Sequence, residues 1–434
     1  MKESLVVFAV LVSVIAWRNG LVAKNLFLTK APLPPAYYSS GDYRSKCRII
    51  DEEPQLKYCE DATFWDLKDS DGELQDRLLI VSCDPNRKAW NTVMGPMRDA
   101  IPRGALWVYD HKSDKVEHVS FEGYPAGHDF HPLGLEIWPS FAGNASNLFV
   151  VNHGRHNTTI EQFYMSPSKP NQATWVRTLT SKYFISPNSV ALTSPTSFYV
   201  TNDHLMTRRL PSILGEVLPM TESLLGLPLG WVSHVSITPT SSGSLSTDIH
   251  HTFSAIGIPF ANGAVLSHDG KTLAVASSSL GEVRFYARNS ATNALSLTSR
   301  VPLPFAADNI MFDDEGALIV AGHPHFPSLI AVSKNKTDAA APSWVTALKP
   351  RQLYLKHPET GAHLALKTPS PDFDMQAPLS VSKRVPPARS HEVETLYQSD
   401  GSHFPNSCTS LRDSRSGVLY VFGLYTEGIL ACKP

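Results

Sequence analysis

The chain has 434 residues, with 33 prolines and 25 glycines spread along it, and a formal net charge of -2. A nearly neutral chain gives no electrostatic case for nucleic-acid binding. The length suits one large domain or two ordinary ones. Frequent proline and glycine favour many turns and short strands over long helices.

The first thirty residues contain a targeting pattern. Lys2 precedes an apolar run from Leu5 to Trp17, which is short for a membrane-spanning helix. Val14 and Ala16 are small enough to flank a signal-peptidase site. We therefore expect residues 1–30 to be a signal peptide or an uncleaved hydrophobic anchor. The chain would then be secreted, or anchored in the secretory pathway.

Glycosylation sequons and cysteines agree with export. The sequons begin at Asn144, Asn157 and Asn335, in polar stretches typical of loops. The five cysteines lack zinc-type spacing. Cys47 and Cys432 lie near the two ends of the chain, so a long-range disulfide between them fits an oxidising compartment. An odd count leaves at least one thiol free or paired externally.

Beyond residue 40 one unit recurs, with a small or polar start followed by strands and turns. Clear copies begin at Asn188, Asn262, Asn309 and Ser407, and the stretches 78–109 and 135–163 fit less cleanly. In the third copy, Ser328–Val332 is expected to be a strand. Repeated four-stranded units are typical of propellers, and about six fit the chain. We predict an all-β, six-bladed β-propeller over residues 40–434, with an unusually large β-sandwich as the alternative.

Two segments depart from the repeat. Residues 204–225 carry leucines and isoleucine at roughly helical spacing, and Pro211 and Pro219 should break them into short helices. These helices would cap one face of the propeller, or form a lid or membrane-facing patch. Residues 336–405 are rich in proline and serine and are interpreted as an insertion, in the simplest case a surface loop.

Candidate metal ligands stand at the starts of the repeats. Inner strands of a propeller begin near its axis, so polar residues there can meet. Asn188, Asn262 and Asp308-Asn309 occupy such starts, and Glu60-Asp61 precede the first blade. Each asparagine alone would be interpreted as a turn residue. Several amides and acids at equivalent positions instead predict a calcium site on the axis, because calcium takes six to eight oxygen ligands.

These residues belong to a longer series of motifs. Residues 47–432 resemble the paraoxonase/arylesterase family of six-bladed calcium propellers. The resemblance is carried by the order and spacing of Cys59-Glu-Asp61, Phe130-His-Pro-Leu-Gly-Leu135, Val150-Val-Asn-His153, Phe198-Tyr-Val-Thr-Asn-Asp-His204, Phe260-Ala-Asn-Gly263, Ala307-Asp-Asn309 and Gly322-His-Pro324.

The resemblance implies two calcium sites. The catalytic ion would be held by Glu60, Asn188, Asn262, Asp308 and Asn309, all of which have the expected residue type. A second, structural ion would use Asp61 and the carbonyl of Leu135. The family usually has aspartate after the ligand asparagine, and this chain has Ser189, which should weaken the second site.

The resemblance also implies a histidine dyad that activates water, and here the chain departs from the family. One member matches His153, but the other position holds Leu133, which cannot accept a proton. We therefore expect His153 to be the catalytic residue. His131, His128 or a carboxylate among the calcium ligands are alternatives, although the two histidines fit ordinary loop or strand-end positions equally well.

Hydrolysis of a small-molecule ester or lactone is the function that the resemblance implies. No Gly-x-Ser-x-Gly elbow supports a serine hydrolase. A binding or scaffold propeller that has lost hydrolysis is the alternative, and a propeller of the gluconolactonase or strictosidine synthase type is a third. Peripheral membrane association through the N-terminus or residues 204–225 is also expected.

Overall fold

Six antiparallel sheets, each starting from a strand that faces a common axis, make up the body of the protein. The computed structural model describes residues 2–29, 43–98, 103–239, 247–336, 340–351 and 388–434. The innermost strands of the six sheets are β2 (Cys59–Lys68), β7 (Pro132–Ile137), β12 (Pro187–Ser194), β16 (Ala261–Leu266), β20 (Ala306–Phe312) and β24 (Ser407–Arg412).

The remaining strands follow outward in each sheet. The second strands are β3 (Leu74–Cys83), β9 (Ser146–Asn152), β13 (Ser197–Asn202), β17 (Thr272–Ser277), β21 (Leu318–His323) and β25 (Leu419–Gly423). The third strands are β4 (Ala105–Asp110), β10 (Thr159–Ser166), β14 (Gly230–Pro239), β18 (Glu282–Arg288), β22 (Ser343–Pro350) and β26 (Ile429–Cys432). The fourth strands are β5 (Lys115–His118), β11 (Lys169–Leu179), β15 (Thr247–Ile258), β19 (Leu295–Pro302), β23 (His391–Ser399) and β1 (Cys47–Ile50). Two short parallel strands, β6 (Ser120–Glu122) on β11 and β8 (Ser140–Phe141) on β2, complete the first two sheets.

The sheets close into a ring. The innermost strands contact one another in the order β2, β7, β12, β16, β20 and β24, and β24 contacts β2 again. The last blade is completed by β1, which pairs with β26 and places Cys47 opposite Cys432. These two cysteines form a disulfide. The six-bladed propeller is therefore confirmed, and the sandwich alternative is wrong.

A second disulfide lies inside the first blade. Cys59 and Cys83 face each other across β2 and β3 and are bonded. The remaining cysteine, Cys408, is buried at the start of β24 and has no disulfide partner. Its thiol lies 3.4 Å from the carbonyl oxygen of Cys59.

Apolar layers fill the spaces between neighbouring blades. Between the first two blades, Trp65 and Ile80 pack with Leu148 and Phe163. Because both faces of most blades are covered, the middle strands are nearly continuous apolar runs rather than alternating ones. On the face opposite the inner-strand starts, the Arg77 guanidinium joins blade 1 to the turns of blades 5 and 6 through the carboxylates of Asp314 and Asp413 at 2.8 and 3.1 Å.

Helices cover the face where the inner strands begin. They are α1 (Lys2–Ala23), continued by a π-helical turn (Lys24–Leu28), α3 (Ser212–Leu224) and α4 (Phe326–Ser333). The short helix α2 (Tyr43–Lys46) lies at the opposite face, where it leads into β1. Among the described residues no helix is both long and apolar enough to cross a membrane. The assignment of residues 1–30 as a signal peptide or anchor stays a prediction.

Three local expectations were wrong. Pro219 does not break the 204–225 segment, because α3 runs through it and is held by contacts such as Leu205 N–H to Glu222 Oε1 at 3.0 Å. Residues Ser328–Val332 lie in α4 rather than in a strand, since Pro327 lies in the first turn of the helix and His325 caps it. The stretch 336–405 is not simply a surface loop, because it supplies β22 and β23; residues 352–387 within it lie outside the described residues.

The N-terminal segment packs on the same face. Asn19 donates its side-chain amide to the carbonyl of Leu225 at 2.6 Å, and Phe27 stacks on Phe326 with ring centroids 5.4 Å apart. Leu26 is buried beside them. The end of α1 and the π-helical turn are thus held between α3 and α4.

Candidate functional site

The ligands that the sequence predicts lie at irregularities in the inner strands. Pairing between the first and second strands of a blade shifts at Glu60 in β2, at Asn188 in β12, at Asn262 in β16 and at Asp308-Asn309 in β20. A β-bulge bends the strand and re-aims its side chains. In four of the six blades the repeat therefore turns one or two polar side chains toward the axis.

Glycines beside the bulges allow the inner strands to approach one another. A Cβ on Gly134 would lie 2.1 Å from the carbonyl oxygen of Asn188, and one on Gly263 would lie 2.7 Å from Cα of Asn309. Any side chain at these two positions would displace a ligand-bearing strand. Glycine is therefore required next to the candidate site.

Four of the five predicted catalytic-site ligands present a buried oxygen that has no hydrogen-bond partner in the described part of the chain. These atoms are Oε2 of Glu60 and the Oδ1 atoms of Asn188, Asn262 and Asn309. Buried polar atoms are rarely left unsatisfied, and each one needs an explanation. Four of them at equivalent places of the inner strands fit the oxygen ligands of a metal ion.

The amide nitrogens of the same asparagines are engaged, which fixes the direction of the oxygens. Asn262 Nδ2 donates to Ser278 Oγ at 2.9 Å, and Asn309 Nδ2 donates to the Glu60 carbonyl and to Thr409 Oγ1, each at 2.9 Å. Because a side-chain amide has one oxygen and one nitrogen, holding the nitrogen points the oxygen the other way. The protein scaffold thus prepares the oxygens for a ligand.

The negative charges near the axis would also be stabilised by a cation. Burial raises the pKa of Glu60 well above its usual range, and the neighbouring Asp61 and Asp308 carboxylates raise it further. Asp308 accepts a hydrogen bond from His323 Nε2 at 2.7 Å. Across the described residues no group of three or more His, Cys, Asp or Glu side chains is arranged to hold a metal ion. The set at the axis consists instead of two carboxylates and three amides, a mixture of hard oxygen donors that fits calcium.

The second predicted calcium site has a different character. Both carboxylate oxygens of Asp61 accept backbone N–H bonds, from Ala62 and from Leu135, at 2.9 Å each. Burial raises the pKa of Asp61 to about 7, although these two N–H donors act in the opposite direction. Ser189 Oγ bonds to the backbone of Ala264. The side chains of Asp61 and Ser189 are thus engaged by backbone groups, unlike the oxygens of the first set, and the second ion stays a prediction.

The first set lies at the bottom of a cavity of about 600 Å³. Glu60, Asn188, Asn262 and Asp308 line it directly. Its walls are largely apolar and come from several elements. They include Leu26 and Phe27 of the N-terminal segment, Trp90 and Met94 of the β3–β4 loop, Met220 and Leu224 of α3, Phe260, and Leu329 and Ile330 of α4.

His153, the expected catalytic residue, also lines the cavity, but both of its ring nitrogens are engaged. Nε2 lies 2.7 Å from the carbonyl oxygen of Pro187, and Nδ1 lies 2.6 Å from Thr92 Oγ1. Since a carbonyl can only accept, Nε2 carries the proton and Nδ1 accepts from the threonine hydroxyl. Burial lowers the pKa of His153 to about 4. The imidazole is neutral and held in place, and its catalytic role stays a prediction.

Of the three positions considered near the start of β7, two face the cavity and one does not. Leu133 faces the cavity, as the resemblance implies for this position, and His131 faces it too. The pairing of β7 shifts between Pro132 and Leu135, so the simple alternation of side chains does not apply across these residues. His128 does not line this cavity, and its Nε2 lies 3.2 Å from Glu161 Oε1.

The sequon asparagines are all exposed. Asn144 and Asn157 lie in loops that precede β9 and β10, and Asn335 follows α4. Asn335 also lines the cavity and accepts a hydrogen bond from Lys88 Nζ at 3.0 Å.

Apart from His153, the sequence reasoning assigned no role to the residues at the ends of the second strands. Each second strand runs back to the face where the inner strand begins, so its last residue or the one after it reaches the cavity. These residues are Asp84, His153, Asp203, Ser278, His323 and Leu424, and all six line the cavity. The signal was present in the sequence as a polar residue closing most of the second strands.

Comparison with known proteins agrees with this architecture. A model of the family described as Arylesterase matches residues 100–353, which is more than half of the chain. The chain belongs to the arylesterase family. Members of this family that resemble it include serum paraoxonase/arylesterase 1 of Homo sapiens, 28% identical over 197 residues (45% of this chain and 50% of the relative).

Two further relatives match a similar share of the chain. Serum paraoxonase/arylesterase 2 of Gallus gallus is 28% identical over 204 residues, which cover 47% of this chain and 51% of the relative. Serum paraoxonase/lactonase 3 of Homo sapiens is 25% identical over 197 residues, covering 45% and 50%. The chain thus matches about half the length of these curated relatives.

Proposed function

We propose that this arylesterase-family protein is a calcium-dependent hydrolase of carboxylic esters or lactones. The observation that carries the proposal is the ring of buried, unsatisfied oxygens at the bottom of an apolar-walled cavity. Relatives named as arylesterases and as a lactonase support the choice between reaction classes. The substrate would be a small molecule that fits a cavity of about 600 Å³.

The protein groups would divide the work between holding the ion and placing the substrate. Glu60, Asn188, Asn262, Asp308 and Asn309 would hold calcium through their oxygens. When bound, the ion would supply Lewis-acid polarisation of the substrate carbonyl and stabilise the negative charge that develops on its oxygen. The apolar walls would bind the acyl or alkyl part of the substrate and exclude bulk water.

In this proposal His153 would hold the β3–β4 loop in place against the start of β12. Its ring joins Thr92 in the β3–β4 loop to the carbonyl of Pro187, next to the ligand Asn188. A ring with both nitrogens engaged must break a hydrogen bond before it can accept a proton. In this proposal a different residue of the cavity takes the proton from water.

Turnover of phenyl acetate and of a medium-chain lactone is the direct test. The purified protein should hydrolyse at least one of them in calcium, lose that activity in excess EGTA and regain it when calcium is restored. Magnesium at the same concentration serves as the control, because it demands a tighter octahedral shell and retains its own waters. If calcium stabilises the fold but neither substrate is hydrolysed, the proposal fails and a binding propeller of the same descent replaces it.

We also propose that the protein enters the secretory pathway, with residues 1–30 as signal or anchor and residues 40–434 as the hydrolase domain. Two disulfides and three exposed sequon asparagines support an oxidising, glycosylating environment.

Peripheral association with a membrane surface is the remaining part of the proposal. Helix α3 exposes Ile213 and Val217, at 72% and 52%, and α1 exposes Trp17 at 88%. Helix α3 also lines the cavity through Glu216 and Met220, and α1 is joined to its C-terminal end by the bond from Asn19 to Leu225. Exposed apolar side chains can enter the headgroup region of a bilayer.

We expect Ile213→Asp together with Val217→Asp to reduce co-sedimentation with phosphatidylcholine vesicles several-fold. Phe253→Asp with Ile256→Asp is the matched control, because these residues are exposed on β15, the outer strand of blade 3. Equal loss in both pairs would mean that general surface hydrophobicity, and not this face, is responsible.

A further inference from the structure

Asp84 and His131 form a buried carboxylate–imidazole pair at the edge of the cavity. His131 Nδ1 lies 2.8 Å from Asp84 Oδ2, and both side chains are only 2% exposed. Both residues line the same cavity as the candidate calcium ligands. Nothing in the ligand set requires either of them.

The hydrogen bonds around the pair fix the histidine tautomer. Asp84 Oδ1 accepts the backbone N–H of Asn86 at 2.9 Å, so the carboxylate is anchored through one oxygen and free to accept through the other. A carboxylate facing Nδ1 places the proton on that nitrogen and leaves the lone pair on Nε2. Within the described residues Nε2 of His131 has no hydrogen-bond partner, although it is buried.

The ring is also held in orientation. The backbone N–H of His131 donates to Asn152 Oδ1 at 2.8 Å, and its carbonyl accepts from the N–H of His153 at 3.0 Å. The indole of Trp90 packs against the imidazole with centroids 5.5 Å apart. The accepting nitrogen Nε2 is thus unpartnered, Nδ1 is held by a carboxylate, and the ring is fixed in orientation. This is the arrangement of a general base.

We propose that His131 is the general base of the hydrolysis and that Asp84 is its positioning residue. This inference rests on the function proposed above. It also explains how a chain with Leu133 at the family's histidine position and with His153 fully engaged can still activate water. His131 directly precedes β7 and lines the cavity together with Leu133.

The proposed step is balanced in atoms and charge. The oxygen of a water molecule forms a bond to the carbonyl carbon while Nε2 of His131 takes one of the water protons. The tetrahedral centre then collapses, the bond to the alkoxy oxygen breaks, and the imidazolium returns the proton to that oxygen. Ester and water become acid and alcohol, or lactone and water become the hydroxy acid.

His131→Gln should lower kcat about 10²–10⁴-fold, the range for loss of a positioned general base, and leave KM within about threefold. His128→Gln is the matched control, because it replaces a histidine three residues earlier that does not line the cavity. It should retain the wild-type kcat. Near-UV circular dichroism and the calcium-induced rise in Tm verify that each variant is folded.

Asp84→Asn tests the positioning role and keeps the test decisive if His131→Gln does not fold. The introduced amide nitrogen would face Nδ1 while the amide oxygen keeps the bond from Asn86, so the imidazole proton should move to Nε2. Wrong-tautomer variants of this kind can lose about 10⁴-fold in kcat. The 15N spectrum of histidine-labelled protein should show the tautomer change, a signature that loss of packing alone would not produce.

The outcomes separate the two proposals. If the wild-type protein turns over and His131→Gln keeps the full kcat, then His131 is not the general base, while the proposed function stays intact. A loss in His131→Gln without loss or tautomer change in Asp84→Asn would remove the role of Asp84. Absence of turnover by the wild-type protein in calcium would overturn the proposed function, and the general base with it.

Discussion

Replacing Asp308 with asparagine should stabilise the calcium-free protein and remove its response to calcium. Asp308 is buried near Glu60 and Asp61, and its negative charge raises the pKa of Glu60. Without an ion these carboxylates repel one another in a medium that solvates them poorly. Asparagine has nearly the same shape, keeps an oxygen for the hydrogen bond from His323, and removes one of the like charges.

The same change should weaken the proposed calcium site, because calcium affinity depends on the number of charged ligands. In EGTA the Tm of Asp308→Asn should equal or exceed that of the wild type. An ion present at about 100 times its Kd stabilises a folded protein by about 2.7 kcal/mol, and this increment should be seen only in the wild type. Hydrolysis of phenyl acetate in calcium should fall by at least about 10²–10³-fold, the scale for loss of a group that stabilises the oxyanion.

Asp269→Asn is the matched control for this prediction. Asp269 lies in an exposed turn between β16 and β17, where its carboxylate accepts bonds from Ser267 and Lys271. The Asp269→Asn variant should have the Tm in EGTA, the calcium response and the activity of the wild type. A wild-type calcium response in Asp308→Asn would show that the ion does not bind at this axis.

The ring and the placement of the candidate ligands on its inner strands could be predicted from the sequence because the units are repeated. Asn188, Asn262 and Asn309 stand at equivalent places in units with the same order of polar starts, strands and turns. A repeat turns weak local signals into a strong one, since each copy must satisfy the same geometry. The direction of the side chains could not be predicted, because the bulges at these positions break the two-residue period of a strand.

Features that depend on a single contact were harder to predict. Ser328–Val332 is rich in residues that favour strands, yet the cap from His325 and a proline at the start of the helix decide its structure. The Asp84–His131 pair joins residues 47 positions apart, and only the closing of blade 1 against blade 2 brings them together. Likewise, the bond between Cys59 and Cys83 follows from the register of β2 and β3 and has no spacing signature of its own.

The disulfide between Cys47 and Cys432 should contribute more to stability than the one between Cys59 and Cys83. The first disulfide joins residues 385 positions apart, and the second joins residues 24 positions apart. In the chain-entropy model these lengths correspond to about 6 and about 3.5 kcal/mol. We therefore expect the double variant Cys47→Ser/Cys432→Ser to unfold at a clearly lower Tm than Cys59→Ser/Cys83→Ser.

The structure also indicates how the larger effect would arise. Besides its disulfide, β1 is held by pairing with four residues of β26, by the buried side chain of Ile50 and by the exposed ion pair between Arg48 and Asp114. Surface ion pairs contribute at most about 1 kcal/mol. Without the disulfide β1 should detach first, exposing the edge of β26 and opening the ring at blade 6. Amide hydrogen exchange should then accelerate in β1 and β26 before it does so in β16 or β17. If the Cys59→Ser/Cys83→Ser variant instead has the lower Tm, local packing around the start of β2 outweighs the closure of the ring.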